Sequence, residues 1–312
     1  MIRVQAREWV LASLALVCLM IAGTASATAQ PARKIGVMLV NHGSRSAAWR
    51  AALLQLERSA RPSILASRQV EDVKTAFMEY TEPSIATTMK LFDDEGYTDV
   101  IVLPVFLTVS THTFDDIPTI LGMKSDPHSL QSLKLEGIAR YTPKARIHLG
   151  PRLDFTSLVK ENVLRRARKL SKDPPNEGLV LIAYGDETYD RQWSALMEAI
   201  AAHVLAQTGM RSFSYGWAGH IARYDPAYTT RAVEQVLRER QRAVVVPVLV
   251  AFDEMFQIDI IGKGIARVPD AARRVAYVPD AILPDESVTT WVVKTVNEMA
   301  AGLASRTVSR AR

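Results

Sequence analysis

From residue 34 onward, short apolar runs rich in Val and Ile alternate with longer stretches in which apolar residues recur every three or four positions. That alternation predicts parallel strands joined by crossover helices. KIGVMLVNHG reads as a strand entering a turn, Ala47–Ser63 as a helix, and Val70–Met78 as a second strand. A helix opening at Pro83 follows, then TDVIVLPVFL as a buried third strand, Lys144–Leu149 as a fourth, and Asp154–Lys172 as a closing helix. KDPPNEG, residues 172–178, has the composition of a linker. Beyond it the order restarts: GLVLIAYGD is strand and turn, Gln192–Gln207 is a helix, SFSYGWAG precedes YDPAYTTRAVEQVL, and RAVVVPVLVAFDEMF repeats the buried strand with its central proline.

The restart has a fixed period. Pro83 and Pro226, Pro104 and Pro247, and Asp116 and Asp259 are each 143 positions apart, and Gly43 and Gly185 are 142 apart. A period the size of a domain argues for two homologous lobes rather than a solenoid. The expected fold class is therefore α/β, each lobe a parallel sheet flanked by helices. Residues 30–172 form the N-terminal lobe, 173–177 the linker and 178–312 the C-terminal lobe.

Residues 1–29 follow a different pattern: two arginines, an apolar stretch from Trp9 to Gly23, then small residues offering Ala25-Ser26-Ala27 or Ala27-Thr28-Ala29 for cleavage. This is the pattern of a secretory signal peptide, and its apolar stretch is shorter than the roughly 20 residues of a spanning helix. The expectation is a periplasmic or secreted protein with no stable membrane span after cleavage, in preference to an uncleaved anchor. Cys18, the only cysteine, leaves with the leader, which excludes disulfides, thiolate–metal sites and cysteine nucleophiles from the mature chain. Removing Arg3, Arg7 and Glu8 takes the formal charge from +5 to +4. The basic residues are spread along helical stretches such as Lys160–Lys172 and Arg231–Arg242 rather than gathered beside aromatics, so no nucleic-acid partner is expected. A mild positive excess suits an anionic small molecule, and equally a solvated surface.

In a parallel sheet the carboxyl ends of the strands share one edge, where ligands bind. His42 ends the first predicted strand, Glu79 follows the second, and His112 follows the third. Taken singly, each is more often structural. Together, two imidazoles and a carboxylate at one edge form a ligand set for Fe²⁺, Co²⁺, Ni²⁺ or Zn²⁺, with coordination positions left over. His128, His148, His203 and His220 have no such company, although His220 in SYGWAGH is placed where it could overlook the crevice.

The segments LVNHGSR, AFMEYTEPSI and LPVFLTVSTHTFDDIP, in that order, resemble the CbiX-like sirohydrochlorin chelatases, class II chelatases that place Co²⁺ or Fe²⁺ in a modified tetrapyrrole. The resemblance runs from Ile35 to about Leu170. It implies two similar lobes facing each other across a cleft, with His42, His112 and Glu79 as metal ligands and as catalytic groups that handle the pyrrole protons. It also implies an anionic tetrapyrrole partner carrying eight carboxylates. Ser44 and Arg45, read as the start of a helix behind Gly43, and Thr111 and Thr113 are the expected donors to those carboxylates. A plain helix cap is the other reading of Ser44. Asp115, Asp116 and Pro118 read as the cap and first turn of the next helix.

The second lobe departs from the motif. The repeat places Tyr184 opposite His42, Ala222 opposite Glu79 and Met255 opposite His112, so one metal centre per chain is expected, with a degenerate lobe as the far wall. Asp253 and Glu254 follow its buried strand, where they either face the ring or are simply solvated acids at a strand end. The implied activity is insertion of Co²⁺ or Fe²⁺, with Ni²⁺ also accommodated, into sirohydrochlorin or a relative. The metal is then substrate, no organic cofactor is needed, and fused lobes allow a monomer. The competing expectation is an exported haem-, tetrapyrrole- or metal-binding protein without turnover, because Tyr184 and Met255 are residue types that ligate haem iron.

Overall fold

Two four-stranded parallel sheets carry the chain. The first holds β1 (Ile35–Asn41), β2 (Asp72–Phe77), β3 (Asp99–Pro104) and β4 (Arg146–Leu149) in the order β2-β1-β3-β4. The second holds β5 (Glu177–Ala183), β6 (Phe213–Trp217), β7 (Arg242–Val248) and β8 (Val275–Tyr277) in the order β6-β5-β7-β8. The computed structural model describes residues 33–107, 110, 112–153 and 155–310, so the expected leader at 1–29 lies outside the described residues. Among them, no helix is long and apolar enough to cross a membrane.

Every residue of β1, β3 and β5 is buried, as the uninterrupted apolar runs of strands covered on both faces require. The helices are α1 (Ala47–Leu65), α2 (Ile85–Asp94), α3 (Ile117–Ile120), α4 (Pro127–Glu136), α5 (Lys160–Leu170), α6 (Asp190–Thr208), α7 (Ala227–Leu237), α8 (Lys263–Ala266), α9 (Ala271–Arg274) and α10 (Glu286–Arg310). Short π-helical stretches, five residues before α3 and α5 and eight before α8, lead into those helices. Pro83 precedes the second helix instead of opening it: Ser84 is the cap, accepting the amide of Thr87.

The last helix of each half packs on the opposite half. The expectation had α5 close the first lobe, but it lies against α6 and β7 of the second, while α10 lies against α1 and β3 of the first. The reason is geometric. Both edge strands, β4 and β8, leave their sheets at the carboxyl edge, which faces the other lobe, so the chain crosses over before it turns helical. Val163, Leu164 and Ala167 supply the buried stripe of α5, within one apolar cluster that runs through both lobes. Buried Arg166 donates to the carbonyl of Pro247 at 2.7 Å and pairs with Asp280, and Asn162 donates to the carbonyl of Ile282 at 3.2 Å and to Asp285 at 2.8 Å. The described residues from Lys34 onward form one compact unit.

Candidate metal centre

His42 and Glu79 meet because two turns lie against each other. His42 follows β1, and Gly43 reverses the chain at φ +110, where a Cβ would stand 1.9 Å from the carbonyl oxygen of Glu79. Only glycine allows that approach. The amide of Glu79 donates to the carbonyl of His42 at 2.9 Å, and the side chains join as well, Nε2 of His42 lying 2.9 Å from Oε1 of Glu79. Nδ1 of His42 is 3.1 Å from the carbonyl of Gly43. Tyr80, at φ +65, adds its hydroxyl to Glu79.

His112 opens the π-helical turn after β3. Its ring centre lies 4.9 Å from that of His42, with the planes at 76°. Its Nδ1 is 2.7 Å from Oδ2 of Asp116, one turn further on and buried. Asp116 was expected to cap a helix; it makes no cap bond, and it holds an imidazole instead. A carboxylate on Nδ1 keeps the proton there and leaves Nε2 as the lone-pair donor.

Electrostatics follow from this network. Burial opposes charge on His42, but the hydrogen bond and negative charge of Glu79, with the carbonyl of Gly43, outweigh it and hold its pKa above 6.5. Burial likewise opposes ionisation of Glu79, and the bond to His42 and the nearness of both imidazoles outweigh that, leaving its pKa low. Asp116 is lowered in the same way, against burial, by His112 and Ser129. Among the described residues, no group of three or more His, Cys, Asp or Glu side chains stands arranged to hold a metal ion, so the side chains must shift before three of them can meet one. A cation arriving here would replace the proton between His42 and Glu79 and add the free nitrogen of His112. Nitrogen, nitrogen and oxygen are donors a borderline divalent ion accepts.

The other expected residues divide. Ser44 is buried and donates to Oδ2 of Asp253 at 2.5 Å, tying the first lobe to the second. It is neither the cap of α1 nor part of it, since Ser46 accepts the amide of Trp49 and the helix begins at Ala47. Arg45 therefore also precedes the helix; it is exposed, with its guanidinium 5.4 Å from the ring centre of Tyr80. Thr113 lies 3.2 Å from the hydroxyl of Ser110, which lines the cavity while Thr113 does not. Thr111 lies outside the described residues. Asp253 is on the cavity wall, held by Ser44 and by the amide of Met255 at 3.0 Å; Glu254 is off it, exposed and bonded to Ser46, which lowers its pKa.

The cavity measures about 460 Å³. His42 and His112 stand on one side, with Tyr184, Tyr224, Met255 and Phe256 contributed by the second lobe. Tyr184 follows β5 as His42 follows β1, and Met255 opens a π-helical turn as His112 does. The counterpart of Glu79 is Gly219 rather than Ala222, because the amide of Gly219 donates to the carbonyl of Tyr184 at 2.8 Å. The loop after β6 is longer beyond this point, with Pro226 seven positions after Gly219 where Pro83 is four after Glu79, and the fixed period therefore misplaces the match by three residues. The second lobe has no acid there on either alignment. Two functional positions escaped the sequence reading although signals existed: Asp116 is four residues from His112, one helical turn, and Tyr80 adjoins Glu79.

The CbiX family model matches residues 36–170. A sirohydrochlorin cobaltochelatase of Methanococcoides burtonii is 34% identical over 97 residues, covering 31% of this chain and 69% of its own length. The chain belongs to the CbiX family. Another sirohydrochlorin cobaltochelatase, from Methanococcus maripaludis, is 38% identical over 88 residues, 28% of this chain and 58% of the relative. The chain thus spans about three fifths of the first curated relatives it matches, 58% and 62% of their lengths. Both lobes of this CbiX member recur in a solved structure, the sirohydrochlorin chelatase SirB from Bacillus subtilis subspecies spizizenii in complex with cobalt. It shares 18% identity and a TM-score of 0.62 over 86% of this chain and 96% of that one, a likeness of fold.

Two predictions arise here. Asp116→Asn keeps the shape but no longer fixes the proton on Nδ1 of His112, and Co²⁺ affinity measured by calorimetry should fall about 10- to 100-fold. The second concerns pH. The raised pKa of His42 stabilises the fold fully below 6.5, and that contribution fades as pH rises through the raised value. The lowered pKa of Glu79 contributes above 4.5 and fades as pH falls through the lowered value. Metal binding has the opposite demand on His42, because the imidazole must be neutral. Co²⁺ affinity should therefore begin to fall at a pH above 6.5 as the medium is acidified, approaching about tenfold per unit. Glu79→Gln should move that midpoint downward; an upward move would contradict the assignment.

Proposed function

We propose that this protein inserts a divalent metal, Co²⁺ or Fe²⁺, into sirohydrochlorin or a related anionic tetrapyrrole, and that it does so after export directed by residues 1–29. The observation that carries the reading is the convergence of two imidazoles with ring centres 4.9 Å apart and a carboxylate 2.9 Å from one of them, beside a cavity with aromatic walls. Insertion requires M²⁺ to shed water, four ring nitrogens to take it, and two pyrrole protons to leave. His42, Glu79 and His112 hold the ion as substrate, Asp116 keeps the donor nitrogen of His112 free, and the flat ring is sandwiched by Tyr80, Phe106, Tyr184 and Phe256. Ser44 is engaged with Asp253, which leaves exposed Arg45 as the cation for a peripheral carboxylate. Fused lobes supply both walls, so a monomer suffices.

The test is anaerobic: mature protein, sirohydrochlorin and Co²⁺ or Fe²⁺, followed by absorbance. A rate above the metal-only control supports the reading, and a rate equal to it removes it. One observation keeps the second reading, a tetrapyrrole- or metal-binding protein without turnover: Met255 is 44% exposed on the cavity wall, available to ligate iron. Tyr184 does not help that reading, because burial and its bond to Tyr224 push its hydroxyl pKa far up and keep it protonated. Tight haem binding with no turnover in the same assay would favour it.

A further inference from the structure

The second lobe lost the metal-handling residues but did not become inert. Facing the cavity, the hydroxyl of Tyr184 lies 3.3 Å from that of Tyr224. The Tyr224 hydroxyl in turn lies over the imidazole face of His220, 3.0 Å from Nδ1 and 3.1 Å from Nε2, so a turn of that exposed ring brings the lone pair of either nitrogen to it. Tyr184 is largely buried, Tyr224 is half-buried, and His220 is exposed, so the chain of groups runs from cavity to solvent. Its middle member is held at some conformational expense: Arg223 and Tyr224 both have left-handed backbone, at φ +50 and +56. Such strain on two consecutive residues other than glycine persists where surrounding structure enforces it, commonly at functional sites.

The chemistry leaves a need for such a path. Each insertion releases two protons from the ring, and His42, Glu79 and His112 are poor acceptors while they hold a doubly charged cation, because their lone pairs are bound and the ion repels a proton. Protons leaving towards the opposite face avoid that conflict. On the chelatase reading given above, we propose that Tyr224 and His220 form the proton exit, with Tyr224 touching the ring. The N–H bond of a pyrrole breaks, its proton passes to the Tyr224 oxygen, the Tyr224 hydroxyl proton passes to the neutral nitrogen of His220, and the imidazolium releases it to water. The electron pair stays on the ring nitrogen and binds the metal, and two passes complete a turnover. Tyr184 is a positioning residue: its hydroxyl donates to Tyr224, leaving the second lone pair of that oxygen for the ring.

The experiment is steady-state insertion of Co²⁺ into sirohydrochlorin by the mature protein and by Tyr224→Phe and His220→Ala, with Co²⁺ affinity measured separately. Phenylalanine keeps the ring that lines the cavity, and His220 is exposed, so both variants should fold. The expected result is a fall in kcat of at least ~10-fold in each, with KM for the tetrapyrrole and Co²⁺ affinity unchanged. Added imidazole should restore His220→Ala and leave Tyr224→Phe unrestored. Wild-type kcat in Tyr224→Phe overturns the relay, as does a loss that appears in KM alone or one in His220→Ala that imidazole does not rescue. Failure of the wild-type protein to insert metal at all overturns the underlying function instead, and the two failures are thereby told apart.

Discussion

His112→Ala is expected to lower Co²⁺ affinity by about 100-fold or more and to bring insertion close to the metal-only rate. The substitution removes the one imidazole nitrogen of the pair that is already free for a metal, since Nδ1 of His112 belongs to Asp116 while both nitrogens of His42 have partners in the resting protein. His42→Ala should have an effect of similar size by a different route: it leaves Glu79 buried, at 8% side-chain exposure, without its hydrogen-bonding imidazole. A carboxylate so placed should regain a proton more readily, so this variant should also lose metal at a higher pH than His112→Ala does. Calorimetric titration with Co²⁺ at several pH values measures both effects. Wild-type affinity in both variants would remove the two histidines from the mechanism.

Gly43→Ala is expected to be the most damaging single methyl in the first lobe. The new Cβ would lie 1.9 Å from the carbonyl oxygen of Glu79, and the backbone there, at φ +110, is one that side chains with a Cβ rarely adopt. Neither conflict can be relieved by turning a side chain, because the obstacle is main chain. Strain and overpacking together should destabilise the fold by about 3 to 5 kcal/mol. Relaxation would have to part the loop after β1 from the loop after β2, and with it His42 from Glu79. Chemical denaturation reads the first effect and Co²⁺ titration the second. A variant with wild-type stability would mean that the two loops are not held as described.

The strands were legible where burial on both faces leaves an uninterrupted apolar run, as in VIVLP of β3 and AVVVPV of β7. β8 was not, because three residues, Val275–Tyr277, are too few to show a pattern. The convergence of His42, Glu79 and His112 could be read because strand topology alone decides which residues share an edge. What could not be read were contacts decided by loop length and crossing. The partner of Glu79 in the second lobe depends on how many residues follow β6, and a constant period cannot carry that. The bond from Ser44 to Asp253 joins residues 209 positions apart in different lobes, so sequence offers Ser44 only as a donor to a substrate carboxylate or as a helix cap. Asp116 does stand at the cap position before α3, but the helical turn already begins at His112, which turns the carboxylate to that imidazole instead of to a free amide.

The reciprocal placement of α5 and α10 bears on how a large flat guest gains admission. With each half gripping the terminal helix of the other, and with one apolar cluster running through both lobes, swinging the halves apart would have to break that packing. That cost favours a gap of nearly constant width, like the jaws of a fixed gauge. A disc-shaped guest of the kind proposed above would then have to enter edgewise, and thickness would select it before charge.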